Sequence, residues 1–331
     1  MGMAFPFPFL LLLLLFPSFT LSESELSVDY YKTSCPNFQN IIRDTVTNKQ
    51  ISSPTTAAAT LRLFFHDCMV DGCDASVLIS SNAFNKAERD GDINHALPGD
   101  AFDVVVRAKT ALELSCPKIV SCADILAQVT RDLVIMVGGP FYTVHLGRKD
   151  GLISKASHAE ESLPRTNMTM DQMLDLFKLR GFTAREFVAL MGGHTIGFSH
   201  CKEFADRLYH FSKTTPTDPD FNPKYAAALK TFCANYTKDS TMSAFNDVLT
   251  PGKFDNMYYQ NLPRGLGLLI TDSLLFKDPR TKPFVEIYAQ DQSAFFSDFS
   301  HAMEKLSLLD IKTGSQGEVR NRCDQFNSIK A

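Results

Sequence analysis

Arg62-Leu63-Phe64-Phe65-His66-Asp67-Cys68 is the stretch on which the reading of this chain turns. It follows Ala57-Ala58-Ala59 and continues in strong helix formers, so residues 57–67 are predicted to be helical. Positions i, i+3 and i+4 of a helix are neighbours, and Arg62, Phe65 and His66 therefore share one face. A guanidinium, a phenyl ring and an imidazole come together there. Imidazole takes and returns a proton near neutral pH. Guanidinium stabilises negative charge developing on a reacting oxygen, and the ring can restrict access. Taken alone, the stretch also fits a core histidine beside a surface arginine.

Working outward, Met191-Gly192-Gly193-His194-Thr195-Ile196-Gly197 places a histidine directly after two glycines, at the end of an apolar helix. Glycine lets backbone approach a flat ligand or another helix closely. Further on, Thr271-Asp272-Ser273 puts a carboxylate ahead of Leu274-Leu275-Phe276, and an Asp among apolar residues needs a partner. A ligating histidine commonly donates its second ring N–H to a carboxylate, which makes His194 and Asp272 a candidate pair. Spacing alone does not join them.

The 331 residues are 21% charged and 44% hydrophobic, the balance of a globular protein. Net charge is −4 and the pI about 6.1, so no general attraction to nucleic acid or anionic membrane is implied. Residues 5–21 are apolar and nearly uncharged, too short a run for a membrane span and suited to a secretory signal over 1–22, with residues 23–331 as one domain. The eight cysteines fit export and suggest four disulfides, whose pairing the sequence leaves open. No CxxC pair occurs, which argues against a zinc site.

Helical signals dominate. Ser121 and Asp124 open a helix that Gly138-Gly139-Pro140 stops. Thr169 with Gln172, and Thr183 with Glu186, have capping-box spacing for helices over 170–180 and up to Gly192-Gly193. Asp278-Pro279 is a predicted helix start, and 298–309 a last amphipathic helix. Residues 211–223 and 239–253 read as loops, and Tyr142 to Leu146 as a short strand. The class is mainly α.

Together these segments resemble the plant secretory (class III) haem peroxidases. The likeness spans roughly Leu26 to Cys323. It includes Tyr30-Tyr31-Lys32-Thr33-Ser34-Cys35-Pro36, the Arg62–Ser76 block, Val120-Ser121-Cys122-Ala123-Asp124-Ile125, Leu146-Gly147-Arg148-Lys149-Asp150, Gly193-His194-Thr195-Ile196-Gly197 and Phe254-Asp255-Asn256. The resemblance implies a haem-peroxidase fold, with distal and proximal helical lobes around one buried haem b. His66 matches the distal base, Arg62 the distal arginine, Phe65 the aromatic beside the haem, and Asn94 the amide that holds the other nitrogen of His66. His194 matches the axial iron ligand and Asp272 its carboxylate. In that scheme His66 takes a proton from hydrogen peroxide and returns it to the departing oxygen. Arg62 stabilises the charge built up as the O–O bond breaks. Asp272 makes His194 more electron-donating.

The resemblance further implies two Ca²⁺ ions, which take six to eight oxygen ligands each. The first set is Asp67, Asp74 and Ser76 through side chains, Val70 and Gly72 through carbonyls, and Glu88 through water. The second is Thr195, Asp247, Thr250, Asp255 and the Lys253 carbonyl. Read without the family, both are solvated acidic loops. The family pairing of the cysteines is Cys35–Cys116, Cys68–Cys73, Cys122–Cys323 and Cys201–Cys233. Pro164 matches a residue at the mouth where aromatic donors bind, and the acidic run before it predicts a mouth that disfavours anionic phenolic acids. Asn167 and Asn235 head glycosylation sequons. Met69, Asp71 and Asn246 depart from residues common in relatives, and the absence of tryptophan fits the intracellular ascorbate-type relatives poorly.

The implied activity is reduction of hydrogen peroxide with one-electron oxidation of small phenolic donors, by a monomer in the cell wall or apoplast. A vacuolar location is less favoured, because the chain ends soon after Cys323. Two other classes remain in view: a haem-free binding or wall protein that kept the fold, and a secreted zinc hydrolase using His66 and His194. The intact Arg62, His66, Asn94, His194 and Asp272 set opposes the first. The second lacks an HExxH motif.

Overall fold

The structure is a computed structural model that describes residues 1–2 and 26–328. The predicted signal segment therefore falls almost wholly outside the described residues. Four helices build one half of the main core: α1 (Phe38–Ser52), α2 (Thr56–Cys68), α3 (Gly99–Ser115) and α4 (Cys122–Met136). Of these α4 is the centre, with Ile125, Leu126, Val129, Leu133 and Val134 all buried against its neighbours. The Ser121 hydroxyl accepts the Asp124 N–H at 3.2 Å, satisfying one free donor at its start. α2 lies across α4 and α3.

Helices α5 (Ala156–Ser162), α6 (Met170–Leu179) and α7 (Ala184–Met191) follow, the last two opened by reciprocal capping boxes at Thr169–Gln172 and Thr183–Glu186, as read from the sequence. Next come α8 (Ala205–Tyr209), α9 (Pro223–Phe232), α10 (Met257–Asn261), α11 (Ile270–Lys277), α12 (Lys282–Gln290) and α13 (Gln292–Leu306). α7 packs on α13. Cys201, Phe204, Leu208, Phe221, Leu229 and Cys233 make a separate small core. The only ladder among the described residues is β1 (Phe198–His200) antiparallel to β2 (Ser243–Phe245), with Ser199 opposite Ala244.

The structure corrects four local expectations. Residues 142–146 are not a strand: the Thr143 N–H goes to the Glu304 carboxylate at 2.7 Å, and only Leu146 forms a bridge, with Ser27. Asp278-Pro279 does not start a helix. The Asp278 carboxylate accepts the Arg280 N–H at 2.9 Å, which makes a turn, and α12 begins at Lys282 with Pro283 in its first turn. The last helix starts six residues earlier than expected, because Asp291 caps it through the N–H groups of Ser293 and Ala294. It ends at Leu306. The loop over 239–253 contains β2.

Four disulfides join Cys35–Cys116, Cys68–Cys73, Cys122–Cys323 and Cys201–Cys233, the family pairing.

Candidate active site

α2 presents His66 buried and Arg62 and Phe65 half-buried. The 3₁₀ turn Asp92–Asn94 brings Asn94 to the same place. The Asn94 amide nitrogen donates to the Glu88 carbonyl at 2.8 Å, which leaves its oxygen as the acceptor for His66 Nδ1 at 2.6 Å. His66 must therefore carry its proton on Nδ1, and Nε2 is the unprotonated atom. Arg62 Nε donates to that Nε2 at 3.3 Å, while Nη1 donates to the Ala96 carbonyl at 3.1 Å. Burial and the Arg62 charge pull the His66 pKa down to about 3, against a smaller opposing effect of Asn94. His66 is thus a neutral base at physiological pH. Phe65 stacks on Phe177, with ring centroids 5.9 Å apart.

The second histidine sits where α7 tightens into a 3₁₀ turn, Gly192–Ile196. A side chain at Gly192 would run into the Phe295 ring and the Tyr259 hydroxyl, so glycine is required for this turn to lie against α13 and α10. His194 Nδ1 is 2.8 Å from Asp272 Oδ1. The carboxylate is fully buried. Its Oδ1 also accepts the Tyr258 hydroxyl at 2.8 Å, and its Oδ2 accepts the Leu269 N–H at 2.9 Å. Burial raises the Asp272 pKa, but His194 and these donors outweigh it and hold the carboxyl below its usual range. With Nδ1 committed and the side chain 31% exposed, His194 offers Nε2 to a ligand.

The loop after α2 is folded around oxygen atoms. Asp67 accepts the N–H groups of Ala75 (2.9 Å) and Val77 (3.3 Å), and Asp74 accepts that of Ser76 (3.0 Å). Ser76 Oγ and both carboxylate oxygens of Glu88 are buried without a partner among the described residues. Burial raises all three carboxyls, Asp74 to about 6, and at Asp67 and Glu88 the neighbouring carboxylates add to the effect. Crowded, unpartnered oxygens of this kind fit a hard cation. Among the described residues no three His, Cys, Asp or Glu side chains are placed to grip one ion together. An ion here would draw on hydroxyl and carbonyl oxygens, with Glu88 reaching it through water. Of the two carbonyls, Gly72 O accepts the Asp74 N–H and Val70 O accepts Arg180 Nη2 at 2.6 Å.

The second predicted cation set also converges. Thr195 Oγ1 donates to the Lys253 carbonyl at 3.3 Å, and Thr250 Oγ1 lies 3.0 Å from Asp247 Oδ2 and 3.1 Å from Asp255 Oδ1. Lys253 Nζ is 3.2 Å from Asp255 Oδ2 and supplies positive charge to the cluster.

Pro164 follows α5 and is half-buried. The acidic run before it is less free than the sequence suggests. Glu160 pairs with Arg165 and accepts the Ile93 N–H at 3.0 Å, next to Asn94. His158 Nδ1 meets Asp71 Oδ2 at 2.7 Å. Asn167 and Asn235 are exposed. Asn246 is buried and accepts the Ser199 hydroxyl at 2.8 Å. Sequence reasoning did not single out Tyr258 or Arg207. Arg207 donates to the carbonyls of Gly267, Leu268 and Leu269 and to the Ser273 hydroxyl, all at 2.8 Å, and so clamps the turn that carries Asp272.

Two imidazoles held in unlike ways, one as a neutral base and one backed by a carboxylate, within a mainly α chain mark the haem-peroxidase fold. Comparison with known proteins agrees. The family model described as peroxidase matches residues 41–291. Peroxidase 41 of Arabidopsis thaliana is 62% identical over 304 residues, covering 92% of each chain. Peroxidase 65 of the same plant is 60% identical over 313 residues, covering 95% of this chain and 92% of that one. The chain belongs to the plant class III peroxidases. It is a peroxidase with a haem cofactor, acting on hydrogen peroxide and a donor substrate.

Proposed function

We propose that this peroxidase holds one haem b, which His194 Nε2 would ligate, and reduces hydrogen peroxide to water while oxidising phenolic donors outside the cell. The observation that carries the reading is the opposite treatment of the two histidines: His66 Nδ1 is fixed by Asn94 and His194 Nδ1 by Asp272. Bound haem supplies the two electrons that cleave the O–O bond, and two donor molecules return them one at a time. The balance is one peroxide and two phenols giving two waters and two phenoxyl radicals.

The protein's share is protonic and electrostatic. His66 Nε2 accepts a proton from peroxide and delivers it to the departing oxygen, so that water leaves rather than hydroxide. Arg62, already beside Nε2, stabilises the negative charge on that oxygen. Asp272 holds the proton of His194 Nδ1 and keeps Nε2 electron-rich. Asp67, Val70, Gly72, Asp74, Ser76 and Glu88 would hold one Ca²⁺, and Thr195, Asp247, Thr250, Lys253 and Asp255 another. Pro164 borders the donor mouth, where Arg165 offsets Glu160, so discrimination against anionic phenols is weaker than the acidic run alone suggests. Secretion to the cell wall or apoplast, glycans on Asn167 and Asn235 and a monomeric state complete the proposal. Net charge −4 and the absence, among the described residues, of a helix long and apolar enough to cross a membrane are compatible with it.

The test is an absorption spectrum of the purified chain with hemin, before and after peroxide. A haem band that shifts on adding peroxide and returns on adding a phenol supports the proposal. A chain that stays colourless with hemin, or holds zinc, refutes it.

A further inference from the structure

We infer that Tyr258 is a positioning residue that tempers the electron donation of His194, by sharing with it a single oxygen of Asp272. The inference rests on the proposed axial role of His194.

Asp272 has two oxygens and three donors. Oδ2 takes the backbone N–H of Leu269 at 2.9 Å, and Arg207 fixes that backbone by binding the carbonyls of residues 267–269. Oδ1 takes both His194 Nδ1 and the Tyr258 hydroxyl, each at 2.8 Å. Tyr258 is therefore the one side chain besides His194, among the described residues, that hydrogen-bonds Asp272. It is fully buried, and its hydroxyl has no other partner among the described residues. Its ring stands edge-on to the His194 imidazole, with centroids 5.8 Å apart, and packs against Tyr259 at 5.1 Å. Burial, and then the charge of Asp272, push the phenol pKa well above its usual value, so the hydroxyl stays a donor at every working pH.

The consequence has a sign. A carboxylate oxygen that accepts a second hydrogen bond pulls less on the first donor. Deleting the Tyr258 hydroxyl leaves His194 as the sole partner of Oδ1. The imidazole then gains anionic character, which stabilises ferric over ferrous iron. Tyr258→Phe keeps the ring and its two aromatic contacts, so the change falls on the hydrogen bond.

The experiment uses the haem-loaded chain and reads the ferric/ferrous midpoint potential and the iron–imidazole stretching frequency. Y258F should move the midpoint to more negative potential and the stretch to higher frequency. D272N should move both the other way. In the D272N background Y258F should add nothing, since the shared oxygen no longer carries the charge for which the two donors compete. A Y258F midpoint that is unmoved or more positive, or the same shift with and without Asp272, overturns the inference. Should Y258F not fold, 3-fluorotyrosine at position 258 keeps the hydroxyl and strengthens it as a donor. The midpoint must then move to more positive potential, and an unmoved or more negative value overturns the inference. Failure of the proposed function shows separately, as an unaltered chain that takes up no haem, and overturns both.

Discussion

Asn94 leaves His66 only one tautomer. Its amide nitrogen is committed to the Glu88 carbonyl, so its oxygen can accept only from a protonated Nδ1. Asn94→Ala removes that constraint and should slow the reaction with peroxide by about 10–100-fold, the scale seen for partners that orient a site's histidine. His66→Ala removes the proton carrier itself and should cost about 10²–10⁴-fold, with haem retained. Both are read by stopped-flow mixing with peroxide, and an unchanged rate in His66→Ala would remove His66 from the mechanism. At this scale much was legible. The spacing of Arg62, Phe65 and His66 on a helix gives their shared face from sequence alone, while the chemistry of ligating histidines made His194 and Asp272 only a candidate pair, which the fold joins. Tyr258 was not legible, because its hydroxyl on α10 meets Asp272 on α11 only in the fold, and nothing in the run Met257-Tyr258-Tyr259 marks which of the two buried rings faces that carboxylate. The charge of Glu160 was misread for a similar reason: Ile93, which donates to it, lies in the distant turn Asp92–Asn94, and Arg165 folds back onto it only after α5 ends.

Among the elements, α7 matters most to the site, because its C-terminal turn carries His194. Its start is held by Glu186, whose carboxylate accepts the Thr183 N–H at 2.7 Å and sits 2.9 Å from Lys305 of α13. Burial raises the Glu186 pKa, but the Thr183 bonds and Lys305 outweigh it and the carboxyl is held below its usual value. A depressed carboxyl contributes stability that is present above its unfolded pKa, near 4.5, and lost as pH falls through the folded one. Glu186→Gln should therefore lower thermal stability at pH 7, by about 1 kcal/mol for the weakened cap, and should narrow the gap to the parent chain as pH drops below 4.5. Thermal melts at pH 7 and in acid check this, and a gap that widens in acid would contradict it. Caps of this kind were readable at α4, α6 and α7, where a polar side chain and its target lie three residues apart. The strand expected over 142–146 failed because β propensity there is overridden by α13, which captures the Thr143 N–H. The start of α13 was missed because Asp291 caps it ahead of the amphipathic stretch that the sequence displays.

Across the whole molecule, the distal site is tied to distant segments. Arg320 is buried and donates to the carbonyls of Ala75, Gly151 and Cys323, while the Cys122–Cys323 disulfide spans a sequence separation of 201. Closing so long a loop restricts the unfolded chain by about 5 kcal/mol on the chain-entropy account. The proposed calcium ions act on the same connections. Ser76 Oγ and the Glu88 carboxylate are buried without partners among the described residues, and the backbone carbonyl of that same Glu88 holds Asn94, which holds His66. Removing an ion from this loop leaves buried like charges facing one another, so the loop should loosen and the Asn94–His66 contact with it. An ion present at about 100 times its dissociation constant contributes about 2.7 kcal/mol to stability. Chelation of the haem-loaded chain with EDTA should therefore lower the melting temperature and slow the reaction with peroxide, and calcium, added back, should restore both. Glu88→Gln should mimic part of this loss in calcium-replete buffer and respond less to EDTA. A chelated protein with bound calcium demonstrably gone, yet with unchanged melting and unchanged peroxide kinetics, would break the link between the loop and His66.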